Sequence, residues 1–413
     1  MKRILSEFAE KLKLQLFADP NTQTTTSSGL TDEMKTFYSN YLIDLVEPRL
    51  VHDQFADKQD IPKGSGKTIE FRKYSPLAKA LKPIQEGVTP DGNNLNMSTL
   101  TAEIHQYGDY ITLSDILQLA AIDNNVVQAT KLLGSQAGRT LDTVTREVMA
   151  GGTNVIYAPD ADSPTEEPVA RHMITANNKF TPDMAFKAKT QLAAMNAPFV
   201  DDSYVAIIHP YASYDIMRDR EWRDIKEYDN SDYYKGELGK IGGVRFVEST
   251  EAKIFRGDDL ASDARNLKVS SVAGSTVTFT GGTVAADSLV GRYVLIDGNK
   301  YEVNANTTST MTLTEAPSGV SQNDIIYPGE GGAEGCAVFA VTVIGANAYA
   351  TTSLSGAGLE HIVKPLGSGG TSDPLNQRST VGWKATKAAE RLVEEYMVRV
   401  ECGSTYSTKA LAN

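Results

Sequence analysis

The longest regular pattern in the chain is a stripe at Val126, Thr130, Leu133, Ala137, Leu141, Val144 and Val148, in steps of three or four residues. An α-helix turns once per 3.6 residues, so the stripe occupies one face and predicts a helix over residues 123–150, roughly 40 Å long. Asp123 is placed to cap the open first turn, and Gly151-Gly152 can take the left-handed conformation that closes the last. Ala129, Gly134, Ser135, Ala137 and Gly138 are small enough to let another backbone approach. Taken alone, this is the long core helix of any large domain.

Before it, Ile4, Phe8, Leu12 and Leu16 fall four apart, a short basic amphipathic helix ahead of the polar run 19–28. This reads as an arm, either a frayed tail or a segment that docks on a neighbouring subunit. Met34, Phe37, Tyr38, Tyr41, Leu42 and Leu45 predict a second helix over residues 31–46, with Thr31 as its cap and Pro48 as its stop. The period then changes to two. Ile69, Phe71 and Lys73 alternate with Glu70, Arg72 and Tyr74, and a partner strand is expected over residues 100–113, with Gly108 as a candidate bulge. Between them Pro76, Pro83, Gly87, Pro90 and Gly92 punctuate a long excursion. It has too little apolar content for a core of its own, so it needs a surface supplied from elsewhere.

After the long helix, Thr181-Pro182-Asp183 predicts a helix start, Met184, Ala188, Leu192 and Met195 its buried face, and Pro198 its end. A strand over 204–209, a helix over 210–218, a glycine-rich turn at 239–243 and a strand over 244–248 follow. From residue 260 to 332 the chain becomes rich in Thr, Val and Gly, with short runs at 276–280, 293–296, 300–303 and 311–314 and an Asp297-Gly298 hairpin signal. This predicts a small β-barrel or sandwich inserted in a mixed host. A continuous apolar strand over 337–344 returns to the host. A loop at 367–374 and strands over 380–387 and 396–402 complete it, with a helix over 385–395 as the alternative.

Composition narrows the function. The 413 residues suit two or three domains, and a formal net charge of −12 argues against a dedicated nucleic-acid reader. Cys336 and Cys402 are too few for a disulfide framework, and His52, His105, His172, His209 and His361 have no metal-ligand spacing. Lys2 and Arg3 open the chain as a secretory signal does, but Glu7, Glu10, Lys11 and Lys13 interrupt any apolar core of one, so a cytoplasmic product is expected. No apolar run reaches the ~18 residues that a membrane helix needs.

Lys63-Gly64-Ser65-Gly66-Lys67-Thr68 superficially resembles a phosphate-binding loop, but Ile61 stands where that motif needs glycine and a strand follows where it needs a helix. No triad, metal set or acid/base pair has adequate spacing, so no catalytic, cofactor-binding or metal residue is assigned and no cofactor is expected.

Five local strings carry a resemblance: Leu14-Gln15-Leu16-Phe17-Ala18, Gly242-Gly243-Val244-Arg245-Phe246-Val247-Glu248, Asp373-Pro374-Leu375-Asn376-Gln377-Arg378, Val381-Gly382-Trp383-Lys384-Ala385 and Met397-Val398-Arg399-Val400-Glu401. In this order, over residues 1–255 and 335–413, the chain resembles the major capsid proteins of tailed phages with the Hong Kong 97 fold. The resemblance implies an α+β fold with an N-terminal arm (1–30), a helical segment of a peripheral domain (31–58), an extended β-hairpin loop lying over a neighbour (59–113), and a spine helix with more of the peripheral domain (114–180). It further implies an axial domain in two parts (181–259 and 333–377) and peripheral C-terminal strands (378–413). The inserted all-β domain (260–332) lies outside the shared core.

By the same resemblance the chain is a non-enzymatic subunit that self-assembles into hexamers and pentamers of an icosahedral shell enclosing phage double-stranded DNA. Its implied partners are copies of itself and scaffolding and portal proteins, with no sequence-specific DNA contact and no membrane. Its implied location is the virion, after synthesis in the bacterial host cytoplasm. Lys67, Lys79 and Lys82 read as ordinary surface charges, so no covalent crosslinking is expected. Two other readings compete: an adhesin-like β-rich binding protein, which leaves the long hairpin unsupported, and a soluble enzyme, suggested by the incomplete phosphate loop.

Overall fold

The computed structural model describes residues 22–23, 51–62, 66–74, 77, 79, 81, 94–115, 125–163, 165, 167–223, 238–261, 267–353, 358–369 and 373–409. The expected arm apart from 22–23, the helix at 31–46, Asp123 and most of the excursion between 75 and 93 lie outside them.

In chain order come β1 (Thr22–Gln23), β2 (Asp57–Lys58), β3 (Thr68–Tyr74), β4 (Met97–Glu103), β5 (His105–Ser114) and the long helix α1 (Asn125–Ala150). Then follow β6 (Val155–Tyr157), α2 (Pro182–Ala194), β7 (Tyr204–Ile208), α3 (Pro210–Arg218), β8 (Gly239–Ile241), β9 (Val244–Glu248) and β10 (Ile254–Phe255). A run of short strands is next: β11 (Leu267–Ala273), β12 (Thr276–Thr280), β13 (Tyr293–Ile296), β14 (Asn299–Asn306), β15 (Thr310–Leu313) and β16 (Ile325–Pro328). The last strands are β17 (Val338–Ile344), β18 (Tyr349–Thr352), β19 (Glu360–Lys364), β20 (Arg378–Arg391) and β21 (Met397–Cys402).

The first sheet runs β1-β5-β20-β18-β2, with β19 also on β20. β20 organises it: one side pairs with β5 from Arg378↔Ser114 to Lys387↔His105, and the other takes β19 and then β18. Alternate residues Val381, Trp383 and Ala385 point to one face, where they meet Val126, Leu133, Ala137 and Leu141 of α1. A period of two thus packs on a period of 3.6, and that contact is what the apolar stripe was for.

The stripe does not continue as expected. Val144 and Val148 are only half-buried, and the last turns of α1 bury Asp142, Thr145, Arg146 and Met149 instead. Neither Gly151 nor Gly152 has a positive φ, and the helix end is closed by Arg399, whose Nη1 donates to the carbonyls of Ala150 and, at 2.8 Å, of Gly152. A cationic side chain therefore satisfies carbonyls that left-handed glycines were expected to satisfy.

Three other expectations change. Gly108 is not a bulge, because its register with Lys384 is unbroken; a Cβ there would stand 2.6 Å from the Trp383 carbonyl, so close approach is what requires glycine. The helix alternative for residues 385–395 fails, because Ala388 and Ala389 pair with Thr352 and Thr351 of β18 and the strand runs on to Arg391. Met195 is exposed because α2 ends one residue earlier, and Thr181 caps that helix without a side-chain hydrogen bond.

The second sheet runs β6-β21-β17-β7-β9-β8, with β10 on β17. Every residue of β7, β17 and β21 is buried, as strands covered on both faces should be, and β21 buries the charged Arg399 and Glu401 among its apolar residues. One face packs with Met184, Leu192, Ile216, Trp222 and Phe246, and the other with Met149 of α1 and Tyr349 of β18. The glycine-rich 239–243 stretch is more than a turn, since β8 and β9 pair as a hairpin across Gly242 and Gly243, both with positive φ.

The short strands form a closed barrel, β11-β12-β15-β14-β13-β16, around its own core of Val269, Val277, Phe279, Val294, Met311 and Ile326 among others. Asp297 and Gly298 have φ of 50° and 73°, the pair of left-handed residues that a two-residue hairpin between Ile296 and Asn299 needs.

Candidate functional site

The chain's surface is most unusual at the β3–β4 hairpin. The two strands pair from Thr68↔Glu103 to Tyr74↔Met97 and, among the described residues, hydrogen-bond to no third strand. Near the root, Ile69 and Phe71 pack on Ile61, Ala102, Ile104 and Ala388. Further out the apolar side chains lose their cover: Tyr74 is 60% exposed, Leu77 56%, Leu81 82% and Leu95 75%. Burying a side chain of that size is worth about 1.5–3 kcal/mol, so a row of them held in water marks a surface that binds something. The sheet also cannot be stable as an isolated pair, and its geometry depends on how the root is fixed.

The root is fixed by a buried polar clamp on α1. His52 donates its backbone N–H to Asp142 Oδ1 at 2.9 Å, and its Nδ1 lies 2.6 Å from Asp142 Oδ2. Asp53 accepts from Thr145 Oγ1 at 2.7 Å and from Lys387 Nζ at 2.5 Å, while Lys387 also donates to the Leu141 carbonyl at 3.0 Å. The Tyr349 hydroxyl donates to the His52 carbonyl. Burial pushes the Lys387 ammonium below the ordinary lysine range, and the Asp53 carboxylate opposite pulls it back. Residues 51–58, α1, β18 and β20 are thereby tied at one point, directly before the chain enters the hairpin. The charged positions of this clamp were not singled out in the sequence; the available signal was Asp142 and Thr145, polar residues at helical spacing on the inner side of α1.

A second cluster, about two turns further on, ties the C-terminal end of α1 to the second sheet. Glu401 is fully buried and accepts from Arg171 Nε and Nη2, each at 2.7 Å, and from Arg399 Nε at 2.8 Å. The Arg171 guanidinium also sits 3.4 Å over the Phe255 ring. Glu394 accepts from the backbone N–H of Thr153 at 2.5 Å and of Asn154 at 3.3 Å; burial pushes its carboxyl up, but these bonds together with the Arg391 charge and the Thr153 hydroxyl hold it below the usual range. The C-terminal half of the helix is thus held at two points, with charges paired and hydrogen-bonded as buried charges must be.

The candidates for chemistry are dispersed. Lys67 lies at the hairpin root, where its carbonyl accepts from Ile104 N–H at 2.8 Å, and Lys79 is exposed on the excursion; Lys82 and residues 63–65 of the incomplete phosphate loop lie outside the described residues. His209 is buried against Phe339 and Tyr211, its Nδ1 accepting from Tyr211 N–H at 3.1 Å at the start of α3. Burial pushes the Cys336 thiol up to about 11 and the Cys402 thiol higher still, which keeps both as unreactive core side chains.

The hairpin is thus anchored at its root and exposed beyond it, and comparison with known proteins supplies the family. Residues 47–299, more than half of the 413, match the model of a family described as phage capsid protein. The chain belongs to the phage capsid protein family. It is a major capsid protein, a subunit of the virion shell, and its mixed helix and sheet content is consistent with the Hong Kong 97 type of fold. The solved capsid of Ralstonia phage GP4 is similar in fold at a TM-score of 0.53 and 12% identity, covering 96% of this chain and 98% of that one. The capsid structure of cyanophage P-SCSP1u gives 0.51 and 13% over 96% and 94%. The capsid asymmetric unit of cyanophage Pam1 gives 0.50 and 13% over 94% and 98%. No curated protein matches the capsid chain.

Proposed function

We propose that this capsid protein assembles into hexamers and pentamers of an icosahedral shell around double-stranded DNA, with the β3–β4 hairpin laid over the adjacent subunit. The single observation that carries the reading is the set of exposed apolar side chains at Tyr74, Leu77, Leu81 and Leu95, which a neighbouring subunit would bury. In this reading α1 is the spine. The β1-β5-β20-β18-β2 sheet belongs to the peripheral domain, the second sheet to the axial domain that faces the centre of each ring, and the barrel is the inserted all-β domain. Scaffolding and portal proteins are the expected partners during assembly in the host cytoplasm. The net charge of −12 suits a wall that lets packed DNA slide instead of binding it.

The test is to replace residues 75–96 with a short Gly/Ser turn, which keeps the Tyr74↔Met97 end of the hairpin. The expected product is folded by circular dichroism and forms no shells by electron microscopy. Normal shells from this variant would sink the role given to the hairpin.

A further inference from the structure

We propose that neighbouring copies join head to tail through the second sheet and its helices, an aromatic and basic patch on α3 of one copy taking an apolar and acidic turn that precedes β7 of the next. The inference rests on the ring reading above and names the contact that closes the rings.

The first patch is built where residues 404–406 fold back on α3. Asp215 is buried, and its carboxylate accepts from the backbone N–H of Thr405 at 3.0 Å and from the Thr405 hydroxyl, while Ser404 Oγ donates to the Tyr211 carbonyl at 2.7 Å. These bonds hold the Tyr406 ring 4.7 Å from that of Tyr211 and 5.3 Å from that of Tyr214, yet Tyr406 stays 58% exposed. Beside it Arg218 donates to the Tyr214 hydroxyl at 2.8 Å, and Met217 is 43% exposed. On the turn that follows, Arg218, Arg220 and Arg223 outnumber Asp219 and Glu221. Tyrosine, methionine and arginine on a rigid support are the side chains enriched at the centres of protein interfaces.

The second patch is the turn over residues 195–203, where Met195 is 47% and Phe199 50% exposed. Its shape is fixed. Asn196 and Asp201 have φ of 56° and 59°, Val200 and Ser203 exchange backbone hydrogen bonds at 3.0 and 3.2 Å, and the Ala346 N–H donates to the Pro198 carbonyl at 2.9 Å. Asp201 and Asp202 stand exposed at the tip; Lys240 pairs with Asp202 at 2.8 Å, and Asp201 has no ion-pair partner among the described residues. One patch is thus aromatic with cations and the other apolar with anions, so charge complementarity makes a second copy the occupant of each. They also lie at opposite ends of the sheet. The Tyr211 ring is 5.8 Å from that of Phe339 near the start of β17, whereas Pro198 is bonded to Ala346, just past the end of β17. The intervening residues span about 20 Å, which keeps the Tyr406 ring from Phe199 within one chain. A contact between unlike patches on two copies is directional, and it repeats around an axis until a rotation closes it into a ring.

The test makes Arg218→Glu and Asp201→Lys separately and together in the full chain, and follows assembly by sedimentation and electron microscopy beside the native chain. Each single variant is expected to stay folded by circular dichroism, since both positions are exposed, and to need at least about tenfold more protein to assemble, because every contact sets like charges face to face. Asp201→Asn, which keeps a residue tolerant of the left-handed backbone, gives a smaller loss in the same direction. An equimolar mixture of the two charge-reversed variants should recover assembly, since alternating copies meet with opposite charges, and its rings should hold even numbers of subunits: hexamers without pentamers. The double variant should recover both. A mixture and a double variant as weak as the singles, or Arg218→Glu assembling at the native concentration, would overturn the proposal while leaving the shell reading intact. A native chain that never assembles would remove the ring reading and this contact with it, and the native control tells that outcome apart.

Discussion

Lys387 is buried to 5% exposure in a sheet strand, and it is tolerable there only because Asp53 and the Leu141 carbonyl accept hydrogen bonds from its ammonium. Removing one partner of such a pair leaves the other charge uncompensated, at a cost of about 3–5 kcal/mol. Lys387→Met should therefore lower the unfolding free energy of the unassembled subunit, read from a denaturant titration, by that order, and adding Asp53→Asn should recover part of the loss. A double mutant no better than the single would mean that the pair is not what holds residues 51–58 to α1. His209 makes a different prediction, about pH. Burial lowers it from 6.5 to about 4. Below pH 6.5 the unfolded chain takes up a proton that the folded chain refuses, so the contribution of His209 is whole above that value and declines as pH falls toward about 4. The decline amounts to about 3 kcal/mol at most. His209→Asn keeps a side-chain acceptor for the Tyr211 N–H and should flatten the melting temperature over this window; an unaltered pH slope would place the titration elsewhere.

At the scale of elements, periodicity made the long helix, β3, the strand at 244–248 and the Asp297-Gly298 turn legible, because each depends on side chains within a few residues, whereas the single partner strand expected over 100–113 is two strands that break at Ile104, β4 pairing with β3 and β5 with β20. What was hidden depends on distant partners. Val144 and Val148 fit the stripe, yet the helix rotates its polar positions inward because Asp53, His52 and Lys387 converge on that turn from remote parts of the chain. Arg399 as the cap of a helix some 250 positions earlier has no local signature. Gly108 was read as a bulge because a glycine in a strand invites it, whereas the Trp383 carbonyl opposite is the reason. Surface function was legible only in part: the polar, Pro-rich excursion pointed to a missing neighbour.

The whole molecule combines two sheets braced by one helix with a barrel that closes on itself. The barrel's first and last strands are adjacent, pairing Leu267↔Ile326, so its two connections leave the host side by side. Arg292 bonds Glu330 at 3.2 Å and the Asp258 carbonyl at 2.8 Å, locking that neck. Since its core is separate, replacing residues 262–327 with a short Gly/Ser linker should leave a folded, shell-forming subunit. Insoluble protein, or soluble subunits that never close into shells, would make the barrel part of the framework. The central claim, that copies of this chain cover one another's exposed hairpins to build a shell, is tested most directly by negative-stain electron microscopy of the purified full chain over a concentration series. Closed shells, or rings and tubes of the same subunits, appearing as concentration rises are the predicted result. A monodisperse monomer at every concentration, with Leu81 and Leu95 still open to solvent probes, would contradict it.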